Sequence, residues 1–110
     1  MFCVIYKFKI KEGFNSQFEQ SWADFTDAIY RVRGSLGSRL HKTDDSQVYV
    51  AYAQWPSREI FEENVPYERN SNEDLLARKN MIETVDGQIE RTYLNVFNDK
   101  LKNPLDPHVT

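Results

Sequence analysis

The run from Gln47 to Trp55, QVYVAYAQW, alternates two sets of side chains, Val48, Val50, Tyr52 and Gln54 against Tyr49, Ala51, Ala53 and Trp55, and both sets are apolar or small almost throughout. A period of two puts neighbouring residues on opposite faces of a strand. An antiparallel strand with one wet face carries a polar set, and this one carries almost none. The strand therefore belongs inside a sheet that is covered on both sides. Asp44-Asp45-Ser46 before it is turn chemistry, so Leu36 to Thr43 forms the other arm of a hairpin. Pro56 lacks the N–H that would continue the ladder, and Ser57 caps a short helix holding Ile60 and Phe61.

The N-terminal run FCVIYKFKIK, residues 2–11, alternates in the same way, with Phe2, Val4, Tyr6, Phe8 and Ile10 on one side and Cys3, Ile5, Lys7, Lys9 and Lys11 on the other. Glu12-Gly13 turns the chain. Ser16 and Glu19 fit a capping box, and Phe14, Phe18, Trp22, Phe25, Ile29 and Val32 then recur at helical spacing. Gly34 ends that helix, with Arg31 and Arg33 near its negative pole. Residues 62–71, containing Pro66, read as a loop. Ser71 or Asn72 caps a further helix whose apolar stripe is Leu75, Leu76, Met81, Ile82 and Val85, ending at Gly87. Residues 88–97, QIERTYLNVF, form the last strand.

The order strand, helix, strand, strand, helix pair, strand predicts an α+β fold of the ferredoxin-like, split βαβ kind: a four-stranded antiparallel sheet with helices on one face. Too few helices remain to cover the other face, so a second copy of the chain is expected there as a homodimer. At 110 residues one domain is expected, over residues 1–98, with residues 99–110, which hold Pro104 and Pro107, as a C-terminal tail. A net charge of −3 with cations and carboxylates interspersed provides no basic stripe, which argues against nucleic acid as a partner. Cys3 is a single cysteine, unable to form an intrachain disulfide, and reads as a small buried hydrophobe. Lys7, Lys9 and Lys11 interrupt any secretory leader, and no apolar run reaches the ~20 residues that span a bilayer; a cytoplasmic protein without membrane association is expected.

With that element order, the runs GSLGSRLH and YVAYAQWPSREIF and the pattern Trp-x-Ser-x-x-x-Phe at Trp55, Ser57 and Phe61 make residues 2–97 resemble the antibiotic biosynthesis monooxygenase family of dimeric α/β-barrel proteins. The resemblance implies that the sheets of two subunits form a shared barrel and that each subunit keeps a pocket between its own sheet and helices. Family members include oxygenases that oxidise aromatic polyketides without a cofactor, haem-degrading oxygenases, and proteins acting on small quinones or signalling molecules. Trp55 matches the family tryptophan. The asparagine that the polyketide oxidisers place four residues before it is Ala51 here, and no histidine falls between Ser57 and Lys102 to match the haem ligand.

The resemblance leads first to a cofactor-independent monooxygenase acting on a small aromatic or quinone-type compound. The second reading is a non-catalytic binding or sensing dimer, and a haem-binding or haem-degrading protein is disfavoured. Trp55 and His41 are the candidate catalytic residues: the indole as a wall against a planar substrate, the imidazole as a base with an ordinary pKa near neutrality. Tyr6, Tyr52, Trp22 and Arg78 are the candidate substrate-binding groups. The bland alternatives are packing for the aromatic residues, a polar strand position for His41 and a solvated helix face for Arg78. Two isolated histidines without cysteine or carboxylate at ligand spacing provide no metal site, and no cofactor is expected.

Overall fold

A computed structural model describes residues 1–63 and 71–102. The elements are β1 (Phe2–Lys9), α1 (Asn15–Arg33), β2 (Ser38–Lys42), β3 (Val48–Trp55), α2 (Arg58–Glu62), α3 (Asn72–Glu83) and β4 (Glu90–Asn95). The four strands form one antiparallel sheet in the order β2-β3-β1-β4, which is the ferredoxin-like arrangement. β3, apolar or small on both sides almost throughout, and β1, apolar on one side and on the first half of the other, are the central pair; the more polar SRLHK and ERTYLN take the edges. The proline-containing loop expected over residues 62–71 and the tail beyond Lys102 fall largely outside the described residues.

Register sorts the side chains. Phe2 faces Trp55, Val4 faces Ala53, Tyr6 faces Ala51 and Phe8 faces Tyr49, so these eight share one side of the sheet. Phe18 of α1 and Met81 of α3 pack on this side with Phe8, Tyr49 and Ala51; Ile60 and Phe61 of α2 pack there with Phe2, Val4 and Trp55. Ring centroids lie 5.1 Å apart for Phe8–Phe18, 4.8 Å for Phe18–Tyr49 and 5.2 Å for Trp55–Phe61, within the range where tilted aromatic pairs attract. The other side carries Cys3, Ile5, Lys7 and Lys9 against Gln54, Tyr52, Val50 and Val48. There Cys3 is only 1% exposed, the buried small residue expected, and its sulfur lies 3.0 Å from the Tyr52 hydroxyl.

The start of α1 differs from expectation. Phe14 occupies the cap position with no side-chain bond, and the Ser16–Glu19 capping box does not form. Glu19 instead accepts a hydrogen bond from the Tyr49 hydroxyl at 2.5 Å, while the Asn15 amide donates to the Ser46 carbonyl at 2.7 Å and to Tyr49 at 3.1 Å. These groups bind the helix to the β2–β3 hairpin rather than to its own first turn. The other end follows expectation: Gly34 takes the left-handed conformation at φ 77°, which a side chain would resist.

α3 has the expected Ser71 cap and, with Asp74, a complete capping box. Its orientation is not the one its leucines suggest. Ala77 and Met81 are buried, while Leu75, Leu76 and Ile82 are 38%, 55% and 42% exposed. Asp74 explains this, because its carboxylate both caps the helix and pairs with Arg31 of α1 at 2.9 Å, turning the 74–77–81 stripe inward. The helix also stops before Gly87: Lys11 N–H donates to Thr84 and Asp86 N–H to Lys9, so the backbone is captured by the end of β1 and led into β4. β4 is shorter than residues 88–97 because its ladder with β1 spans only Glu90 to Asn95. β2 begins at Ser38 rather than Leu36 because Gly37, at φ 103°, interrupts regular pairing beside Gln54. Among the described residues no helix is long and apolar enough to cross a membrane.

Candidate functional site

β3 places alanine at residues 51 and 53 between the large rings of Tyr49 and Trp55, so the middle of the sheet is low where its ends are high. α1 spans this trough with Trp22, Phe25 and Ile29, and α3 closes one side with Arg78, Met81 and Ile82. The result is a cavity of about 360 Å³ floored by Tyr6, Phe8, Ala53 and Trp55. Somewhat more than half of its lining is aromatic or aliphatic and the rest is polar or charged, a mixture that a small-molecule site can use for both burial and orientation.

The polar groups have a pattern. Trp55 is only 3% exposed, and among the described residues its buried indole Nε1–H has no hydrogen-bond partner. Arg33, at the last position of α1, lies with its guanidinium carbon 5.6 Å from the centre of the Trp55 ring. One terminal nitrogen of Arg33 donates to the carbonyls of Phe61 at 2.8 Å and Glu63 at 3.3 Å, but its buried Nε has no partner among the described residues. Arg91, on the β4 rung facing Tyr6, lies 5.7 Å from the centre of that ring. Burial raises the Tyr6 phenol above its ordinary value of 10, with Arg91 and then Arg33 working against the shift and Tyr93 adding to it. Tyr6 is accordingly a neutral O–H donor at neutral pH.

Of the residues singled out from the sequence, Tyr6, Trp22, Trp55 and Arg78 line this cavity together. Tyr52 and His41 do not join them. Both point to the helix-free side, since Tyr52 pairs with Ile5 and His41 with Val50 in the ladder. The Tyr52 phenol is raised chiefly by its hydrogen bond with Cys3, and the exposed His41 ring lies 3.0 Å from the Val50 carbonyl. Neither placement touches the cavity.

The sequence reading missed Arg33 and Arg91. A signal existed for the first, because the stripe Phe25, Ile29 continues at spacing four to residue 33. For Arg91 the signal was its alternation with Tyr93, which needs the register with β1 to decide the face. Ala51 is buried in the core at the position where an asparagine was noted as missing. Among the described residues no group of three His, Cys, Asp or Glu side chains gathers to hold a metal ion.

Architecture and cavity together define a ferredoxin-like α+β domain with a ligand-sized, donor-lined space between sheet and helices. The family model for antibiotic biosynthesis monooxygenase matches residues 1–64, more than half the chain, and the protein belongs to that family. Solved structures share the fold across nearly the whole chain. One is Rv0793 from Mycobacterium tuberculosis, 18% identical, TM-score 0.68, covering 91% of this chain and 98% of that one. Another is SnoaB, a cofactor-independent oxygenase from Streptomyces nogalater, 16% identical, TM-score 0.69, covering 92% and 97%. A conserved protein from Methanosarcina mazei Go1 is 10% identical, with TM-score 0.65 and coverage of 84% and 89%. No curated protein matches the chain by sequence.

Proposed function

We propose that the protein is a cofactor-independent monooxygenase acting on a small, electron-rich aromatic compound of the phenol or anthrone type, and that it works as a homodimer. The observation that carries this reading is the unpartnered indole N–H of Trp55 in an aromatic-walled cavity that also holds the neutral Tyr6 hydroxyl. Donors of this kind, fixed in a poorly hydrated site, favour the anion of a bound phenol or enol over its neutral form. They lower the acidity barrier of the substrate itself, and its proton passes to solvent.

The resulting carbanion-like anion transfers one electron to dioxygen, and the radical pair closes to a carbon-bound peroxide. Loss of water from that peroxide leaves a carbonyl. For an anthrone the balance is one CH₂ and one O₂ in, one C=O and one H₂O out, with the substrate as sole reductant. Family membership supports this chemistry, and SnoaB supplies a fold relative described as a cofactor-independent oxygenase.

The test is oxygen uptake with an anthrone in buffer, measured against the autoxidation rate. Uptake equimolar with anthrone is expected, and Trp55→Phe, which keeps the aromatic wall but removes the donor, should slow it by about 10²-fold. A rate no faster than autoxidation sinks the reading. The alternative, a binding module without turnover, is favoured by Ala51 standing where an oxidising relative would present an amide; it predicts saturable binding of the same compound with no oxygen uptake.

A further inference from the structure

We infer that the ligand of this cavity carries an acid group, a carboxylate on the aromatic framework, held between Arg33 and Arg91 beside the Tyr6 hydroxyl and the Trp55 indole N–H. The inference rests on the reading of the cavity as a site for a small aromatic molecule and narrows its class. Three arginines, Arg33, Arg78 and Arg91, line the cavity against one carboxylate residue, Glu63. Among the described residues none of the three lies within 4.0 Å of a carboxylate oxygen, whereas Arg31 and Arg58 are both paired.

Arg33 is the clearest case. It is half-buried, and among the described residues its charge is met only by two backbone carbonyls and the face of Trp55, while its buried Nε–H has no acceptor. A half-buried cation without a carboxylate partner among the described residues, beside a second buried donor without an acceptor there, leaves two desolvation costs standing. A bound oxyanion would supply the counter-charge that Arg33 lacks. Planar guanidinium groups match a carboxylate through a two-pronged contact, which a neutral carbonyl or ester cannot reproduce. The aromatic residues beside them then take the ring system to which the carboxylate is attached.

The experiment uses anthraquinone-2-carboxylate and its carboxamide, quinones already oxidised and therefore unreactive toward dioxygen, with binding read by quenching of intrinsic fluorescence. Both tryptophans of the chain line the cavity, so the signal reports occupancy directly. The carboxylate should bind at least tenfold tighter than the carboxamide, by an amount that shrinks as salt is raised. Arg91→Gln, a change on an exposed edge strand, should abolish most of that preference by weakening carboxylate binding far more than carboxamide binding; Arg33→Lys should do the same to a smaller degree because it keeps a charge but loses the fork. Equal affinities for the two probes overturn the inference. So does an Arg91→Gln variant that weakens both alike, or the absence of binding by either probe. Oxygen uptake with a neutral anthrone but no carboxylate preference would remove this inference and leave the monooxygenase reading intact.

Discussion

Trp55 sits on the last rung of β3, opposite Phe2, where Pro56 turns the chain into α2. One edge of its ring meets Phe61 at 5.2 Å, one face meets Arg33, and its N–H meets no acceptor among the described residues. A donor left buried and unused is uncommon for a residue recruited for packing alone, which supports the proposed site role of the ring beside its role in the core. Phe18 shows the contrast. It is fully buried between Phe8 and Tyr49 and has no polar atom to spend, so its contribution is packing. Phe18→Ala should cost about 3–5 kcal/mol of unfolding free energy in urea titration; a loss below about 1 kcal/mol would mean that the cluster collapses to fill the space. At this scale the sequence marked Trp55, Trp22, Tyr6 and Arg78 by type and spacing. It could not rank Tyr6 against Tyr52, because which face of a strand turns inward is a property of the neighbouring strand.

Among the elements, α3 shows most plainly how one polar residue overrides an apolar pattern. Leucines at 75 and 76 suggest that they lead the helix into the core, yet Asp74 does so by capping α3 and pairing with Arg31. The hydrogen bond from Arg31 holds the Asp74 carboxyl below the ordinary carboxylate range, with the Ser71 bonds adding to it against a smaller opposing effect of burial. A carboxyl depressed in the folded state adds stability above its unfolded pKa, and that addition is lost as pH falls through the folded value. Asp74→Asn keeps an acceptor for the cap and removes the charge. Its urea midpoint should lie below that of the parent protein at neutral pH and converge with it as pH drops below about 4, the ordinary Asp range. A difference that stays constant with pH would assign the effect to packing.

For the whole molecule, the sheet has one side packed against helices and another carrying Ile5, Val50, Tyr52 and Leu94, all apolar or aromatic. Dimerisation through that side is the proposed arrangement. It predicts a sedimenting species of twice the 13.0 kDa chain mass at micromolar concentration, and a Val50→Asp variant that remains folded by circular dichroism but sediments as one chain. A well-folded parent of single-chain mass would end the dimer proposal. His41 and Tyr52, expected near the site, belong to this side instead, so their substitution should leave ligand affinity in the cavity unchanged within a factor of about two unless the pairing of subunits is disturbed.

What the amino-acid order determined by itself was whatever depends on near neighbours along the chain. It set the period of two in β1 and β3, the period of 3.6 in α1, the stops at Gly34 and Pro56, the Ser57 and Ser71 caps, and through their succession the ferredoxin-like topology. Only the tertiary structure decided the rest. Register chose the cavity side for Arg91 and the opposite side for His41 and Tyr52, the Arg31–Asp74 pair chose the buried edge of α3, and Tyr49 drew Glu19 away from a local cap. Those outcomes rest on contacts between residues far apart in the chain, whose energies outweigh local preference by only a kilocalorie or so and exist only once the sheet has closed.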